Sequence, residues 1–148
     1  MRIFFLFLPL LALMVGCTSK QNNASSDSNE SYELVYAQRG IEWKDLLNQN
    51  CSDYYSYIYS LTCHYCNEIK GRVYEFCQGN AVFFIEYQVG IVPLNSETKD
   101  FVGVDKIEDL YILGTPTLFH IKEKKIAECF IGANQITLFF DNQNSNKN

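Results

Sequence analysis

Two cysteines, Cys63 and Cys66, lie one helical turn apart at the predicted start of a helix. Apolar side chains recur at helical spacing from there to Cys77, and Thr62 is the expected N-cap. Helix N-termini carry unpaired N–H groups and a partial positive charge, so a thiol placed there ionises more readily. A thiolate is the nucleophile of disulfide exchange. The pair therefore predicts thiol–disulfide chemistry.

Alternating strands and helices are expected to position this pair. The predicted strands cover residues 32–37, 54–60, 81–87, 117–121 and 126–131. The predicted helices cover residues 41–47, 63–77 and 105–113, and a last helix is capped by Asn134. Helices that alternate with buried strands predict an α/β fold with a covered sheet. A short charged turn joins the last two strands, so they should form an antiparallel hairpin and make the sheet mixed.

Size and charge limit the possible functions. The chain has 148 residues, of which 47% are hydrophobic, so one domain with a substantial core is expected. The formal net charge of −5 gives no reason to expect nucleic-acid binding.

The N-terminus predicts export and attachment to a membrane. Arg2 precedes a short apolar run that ends near residue 15 and is shorter than the roughly 20 residues that span a bilayer. The run ends in Met-Val-Gly-Cys, which resembles the lipobox of bacterial lipoproteins, with Met14 in place of the usual Leu. In that family the signal is removed before the cysteine, which then carries the lipid. We therefore expect residues 1–16 to be a signal peptide and Cys17 to be lipidated.

The expected domain follows a polar linker. Residues 17–31 are rich in Ser and Asn and predict a flexible tether. The folded domain is expected over residues 32–141, and a polar, frayed tail over residues 142–148.

From about residue 32 to residue 140 the chain resembles the thioredoxin superfamily. The resemblance is carried by the strand that leads into Cys-His-Tyr-Cys, by Gly-Thr-Pro-Thr before the final hairpin, and by Gly132 before the last helix. It implies a thioredoxin-like fold: a central mixed sheet flanked by helices, with a C-terminal hairpin and helix. It also implies that Pro116 is a cis-proline packed against the cysteines, and that the backbone of Thr115 is free to pair with a substrate.

Some positions depart from the family pattern. His64 and Tyr65 replace the Gly-Pro that most often separates the cysteines, and both are expected to modulate the site. Cytoplasmic thioredoxins carry a buried Asp six residues before the first cysteine, where this chain has Tyr57. The acceptor of the Cys66 proton is therefore open between water, Glu86 and Glu68.

The resemblance implies exchange through a mixed disulfide, in which Cys63 reacts with the substrate and Cys66 resolves the intermediate. The expected partners are cysteine-containing envelope proteins and a redox donor or acceptor protein, met outside the cytoplasm, with reduction or isomerisation favoured. No cofactor and no metal are expected. The alternatives are a structural disulfide, and a metallochaperone that delivers copper through Cys63, Cys66 and His64.

Three further cysteines have no predicted role in catalysis. Cys129 falls within a strand pattern and is expected to be a small core residue. A bridge between Cys51 and Cys77 is possible, but the sequence does not decide whether it forms.

Overall fold

The computed structural model describes residues 28–145, which form a four-stranded sheet with helices packed on it. The strands are β1 (Asp53–Tyr59), β2 (Val82–Glu86), β3 (Thr117–Lys122) and β4 (Lys125–Ile131), in the spatial order β2-β1-β3-β4. β1 and β2 are parallel, whereas β3 is antiparallel to both β1 and β4. The predicted mixed sheet and its terminal hairpin are confirmed.

Three helices accompany the sheet: α1 (Ser28–Gln38), α2 (His64–Cys77) and α3 (Gly132–Ser145). They contribute Tyr36, Ile69 and Ile136, among others, to one apolar cluster with the side chains of β1 and β2. A second cluster covers the opposite face of the sheet and is built largely from irregular segments. The sheet is thus buried on both faces, although regular helices cover only one of them.

The register of the central strands positions the site. Ile58 at the end of β1 pairs with Thr117 at the start of β3, because these two strands run in opposite directions. The chain therefore leaves β1 toward Cys63 at the same end of the sheet at which it enters β3 from Thr115.

The strand predicted over residues 32–37 is wrong, because this segment belongs to α1. Tyr32, Leu34 and Tyr36 suggest an alternating pattern, but Leu34 is exposed whereas Tyr36 is buried. Tyr32 and Tyr36 lie four residues apart on one helical face, and the Tyr32 ring packs against Tyr74 of α2. α1 begins at Ser28, so the last residues of the expected tether are helical.

Two other predicted helices are replaced by irregular backbone. Only a short 3₁₀ turn, Trp43–Asp45, forms within residues 41–47, and only Ile107–Asp109 within residues 105–113. In the second segment, Leu110 is extended and Ile112 bridges to Leu94. Burial of apolar side chains is retained in both segments without continuous helical hydrogen bonding.

The helix ends also differ from expectation. α2 is capped by Cys63 rather than Thr62, because the Cys63 sulfur accepts the backbone N–H of Cys66. α3 already begins at Gly132, so Asn134 lies inside it. α3 also continues into the predicted tail as far as Ser145, and Asp141 in its last turns pairs with Arg72 of α2.

The predicted signal peptide and the lipidation site Cys17 lie outside the described residues. Within residues 28–145, no helix combines the length and apolar character needed to cross a membrane.

Gly71 lies in the middle of α2, and its substitution tests how closely α1 packs on α2. A Cβ atom at this position would meet the Tyr32 hydroxyl at 3.4 Å, which is an ordinary contact. Since Ala is favoured over Gly inside a helix by about 1 kcal/mol, Gly71→Ala should raise the free energy of unfolding by up to that amount. Urea unfolding measures the change.

The matched control is Gly103, whose φ of +86° lies in the left-handed region. Gly103→Ala should lower the free energy of unfolding by about 1 kcal/mol. A loss of stability in Gly71→Ala would show that α1 packs on α2 more tightly than the structure indicates.

Candidate redox site

Cys63 lies half-buried at the N-terminus of α2, where two features favour its thiolate. The backbone N–H of Cys66 donates to its sulfur at 3.2 Å. The helix contributes its positive end to the same atom. On the other side, the Cys63 thiol donates to the carbonyl oxygen of Thr115 at 3.3 Å. The segment before β3 is therefore in direct contact with the reactive sulfur.

Pro116 holds that segment in place. The Thr115–Pro116 peptide bond is cis, and Pro116 is buried. Its carbonyl oxygen accepts the Gly132 N–H at 2.8 Å, while the Thr117 hydroxyl donates to the carbonyl of Gly114 at 2.8 Å. These bonds fix the loop on both sides of the residue that touches Cys63.

The two thiols have opposite acidities. Burial opposes ionisation of Cys63, but hydrogen bonds from the Cys66 and Thr115 side chains and from the backbone at Cys66 and Tyr65 outweigh it, so the pKa of Cys63 is lowered. Burial, and then the bond to Cys63, raise the pKa of Cys66 to about 11. Cys66 is only 5% exposed. The site thus has one accessible, acidic thiol and one buried, weakly acidic thiol.

His64 and Tyr65 lie on the solvent side of the pair. The His64 Nε2 atom is 3.0 Å from the carboxylate of Glu68, and both side chains are largely exposed. The Tyr65 ring is exposed and meets His64 edge to face. The backbone N–H of Tyr65 helps to lower the pKa of Cys63. Because any residue other than proline supplies this N–H, the sequence does not indicate the effect.

The other free thiols in the described part of the chain are only weakly acidic. Cys77 and Cys129 are both free, so the possible Cys51–Cys77 bridge does not form. Burial raises the pKa of each of these two thiols to about 12. Cys129 packs against the second apolar cluster, in agreement with its expected role as a small core residue.

His120 has partners that the sequence did not indicate. Its two ring nitrogens lie 2.8 Å from Asp53 and 2.7 Å from Glu128, and its ring stacks on Tyr55. This cluster lies near the start of β1, whereas the cysteines follow the end of that strand. It is therefore separate from the redox site.

A protein metal site is usually built from several His, Cys, Asp or Glu side chains that converge on one point. Within residues 28–145, no group of three or more of them is placed to hold a metal ion.

The parallel β1-α2-β2 unit, the antiparallel β3-β4 hairpin and the closing α3 define a thioredoxin-like fold. No protein-family model matches the chain, and no curated protein matches its sequence. Among solved structures, it is similar to mitochondrial thioredoxin 3 from Saccharomyces cerevisiae in its oxidised form (18% identity, 70% of this chain, 92% of that chain, TM-score 0.45). It is also similar to thioredoxin from Trypanosoma brucei brucei (20% identity, 74% and 90%, TM-score 0.40). A third is thioredoxin f from spinach chloroplast in its long form (13% identity, 79% and 93%, TM-score 0.42).

The difference in acidity predicts how the two thiols react with iodoacetamide. Because its pKa is lowered, Cys63 should be alkylated with a midpoint below the ordinary thiol value of 9.0. Cys66 should stay protonated until the pH approaches 11. Mass spectrometry of peptides alkylated across the pH range separates the two sites.

Thr115→Val removes one of the hydrogen bonds that favour the thiolate, so it should move the Cys63 midpoint upward. An unchanged midpoint would mean that the Thr115 side chain does not stabilise the thiolate.

Proposed function

We propose that this protein is a thiol–disulfide oxidoreductase that acts through Cys63 and Cys66. The observation that carries the proposal is the placement of Cys63. Its sulfur has a lowered pKa, is partly accessible, and lies 3.3 Å from the Thr115 carbonyl next to a cis-proline. A purely structural disulfide would need neither an acidic thiol nor access from solvent.

The reaction follows from the two acidities. The Cys63 thiolate attacks a substrate disulfide, so that one substrate sulfur joins Cys63 and the other leaves with the electron pair and takes up a proton. Cys66 then loses its proton and attacks the Cys63 sulfur. The Cys63–Cys66 disulfide forms, and the second substrate thiolate departs and is protonated. Two electrons have passed from the pair to the substrate, and a redox partner must return them.

Thr115 and Pro116 are proposed to bind the substrate. The peptide that carries the target disulfide has to approach Cys63 from the exposed side of the site. The side chains of Leu61 and Tyr65 are both more than half exposed there and offer apolar contact area. The chain next to the target sulfur would lie along the Thr115 backbone.

The proposed setting is extracytoplasmic, with the domain attached to a membrane through a lipid on Cys17. It is supported by the apolar N-terminal run, the lipobox-like sequence and the polar linker. The expected clients are cysteine-containing envelope proteins, and a second redox protein would supply or accept electrons. We propose reduction or isomerisation rather than oxidation, because Thr115 and Tyr65 resemble residues of envelope disulfide isomerases and glutaredoxins.

Reduction of insulin disulfides in the presence of dithiothreitol tests the activity. The wild-type protein should accelerate insulin precipitation, and Cys63→Ser should fall to the uncatalysed rate. Cys129→Ser is the matched control, because its thiol is free but has a pKa raised to about 12, so activity should be retained.

Wild-type protein that retains stoichiometric metal and has no dithiol activity would overturn the proposal in favour of a metallochaperone. The direction of electron flow is tested by the reduction potential of the pair, measured in glutathione buffers. A reductase or isomerase should lie well below the roughly −120 mV of a strongly oxidising dithiol.

A further inference from the structure

Tyr57 lies on β1 beneath the redox pair, on the face of the sheet that α2 covers. Its side chain is fully buried, and its hydroxyl has no hydrogen-bond partner among the described residues. A buried hydroxyl without a partner bears the full cost of its desolvation, so such groups often have a functional reason. The reactive group that interacts with Tyr57 is the buried thiol of Cys66.

The hydroxyl and Cys66 line the same small cleft. Its volume of about 20 Å³ is enough for one water molecule. Tyr36 and Asn67 also line it, and Glu33 and Lys70 form an ion pair of 2.6 Å at its border. The Glu33 side chain is largely exposed, so the cleft connects the buried thiol with solvent.

The phenol stays neutral under these conditions. Burial, and then the negative charge of a Cys66 thiolate, raise the pKa of Tyr57 well above its ordinary range. A neutral phenol cannot remove a proton from Cys66, but its O–H can donate to a thiolate. The missing partner of Tyr57 would therefore be supplied when Cys66 ionises.

We propose that Tyr57 is the hydrogen-bond donor that stabilises the Cys66 thiolate during resolution of the mixed disulfide, and that the cleft beside it is the exit for the Cys66 proton. The inference rests on the proposed function. Cys66 releases its proton through the cleft to solvent at the Glu33–Lys70 border, and the thiolate accepts the Tyr57 hydrogen bond. Its sulfur then attacks Cys63, and the substrate sulfur leaves with the electron pair of the broken bond.

This arrangement favours the reactive state over the resting state. In the resting thiol form, the hydroxyl has no partner within the described residues, whereas the thiolate form satisfies it. An interaction that is made only as the reaction proceeds accelerates the chemical step. Tyr57 would thus offset part of the burial that raises the pKa of Cys66 to about 11.

The test follows the reaction of the fully reduced protein with the aromatic disulfide DTNB by stopped flow. Attack by Cys63 releases one thionitrobenzoate and forms a mixed disulfide, and attack by Cys66 releases the second. The two absorbance phases report attack and resolution separately. The absorbance change that disappears in Cys63→Ser is the change that comes from the Cys63–Cys66 pair.

Tyr57→Phe retains the ring and removes only the hydroxyl. It should slow the second phase about tenfold, the size expected for loss of a hydrogen bond to a charged group, and should leave the first phase within about twofold of wild type. It should also move the pH profile of the second phase upward by about one unit. Because the hydroxyl has no described partner in the thiol form, the free energy of unfolding should not fall.

Ser56→Ala is the matched control. Ser56 is the other described residue whose buried hydroxyl has no partner, and the alternation of β1 places it on the opposite face of the sheet. Both phases should be unchanged in this variant. A second phase in Tyr57→Phe equal to that of wild type, after a normal first phase, would overturn this inference alone. Absence of a fast first phase in wild type would overturn the proposed function and this inference with it.

Discussion

A Cys66→Ser protein should accumulate as mixed disulfides with its clients, because Cys63 still attacks but nothing resolves the product. Cys63 is the more accessible and more acidic sulfur, so it forms the bond to the substrate. Cys66 lies behind it at 5% exposure, where a bulky substrate cannot reach. Turnover of insulin should fall to background, and adducts that dithiothreitol releases should be visible on non-reducing gels of envelope extracts.

Two variants make the trapping result specific. Cys63→Ser/Cys66→Ser should form no adducts, because the attacking sulfur is gone. Cys77→Ser should turn over normally and form none, since it removes a buried free thiol from the other end of the same helix. Adducts that persist in the double variant would place the reactive thiol elsewhere in the chain.

The redox pair could be predicted from sequence because its geometry is local. Cys63 and Cys66 are separated by one turn of α2, and helical spacing fixes their relation. The contact with Thr115 is different, since it joins residues 52 positions apart. Only the resemblance to a known fold predicted this contact, which joins the Cys63 sulfur to the Thr115 carbonyl oxygen at 3.3 Å.

What the sequence did not reveal depends on contacts between distant segments. In the sequence, Tyr57 is only a departure from a family pattern. Its position beside Cys66 depends on the packing of α2 on β1. The same holds for α1, where Tyr32 and Tyr36 fit a strand or a helix until packing on α2 decides between them. The helix predicted over residues 105–113 is wrong, because Leu110 is buried in an extended conformation and Ile112 is buried where it bridges to Leu94.

His120 shows the same limit most clearly, because its nearest carboxylates come from two other strands. Asp53 is 67 positions away in the chain, and Glu128 follows the hairpin turn. Both ring nitrogens lie within 2.8 Å of carboxylate oxygens. We therefore expect His120 to join β1, β3 and β4 through these two contacts.

Removing the His120 ring should cause the largest loss of stability among the predicted substitutions. His120→Leu approximately keeps the side-chain volume but loses both contacts with carboxylates and the stacking on Tyr55. A hydrogen bond to a charged group is worth about 1.5–3 kcal/mol. Asp53 and Glu128 are more than half exposed and can be rehydrated, so the expected loss is about 2 kcal/mol in the free energy of unfolding.

The control is the other histidine of the chain. His64 also pairs with a carboxylate, but its side chain is 80% exposed, so His64→Leu should change the free energy of unfolding by less than about 0.5 kcal/mol. Equal losses of stability in the two variants would contradict the link between strands through His120. In that case the stacking on Tyr55 alone would have to account for the burial of an imidazole between two acidic side chains.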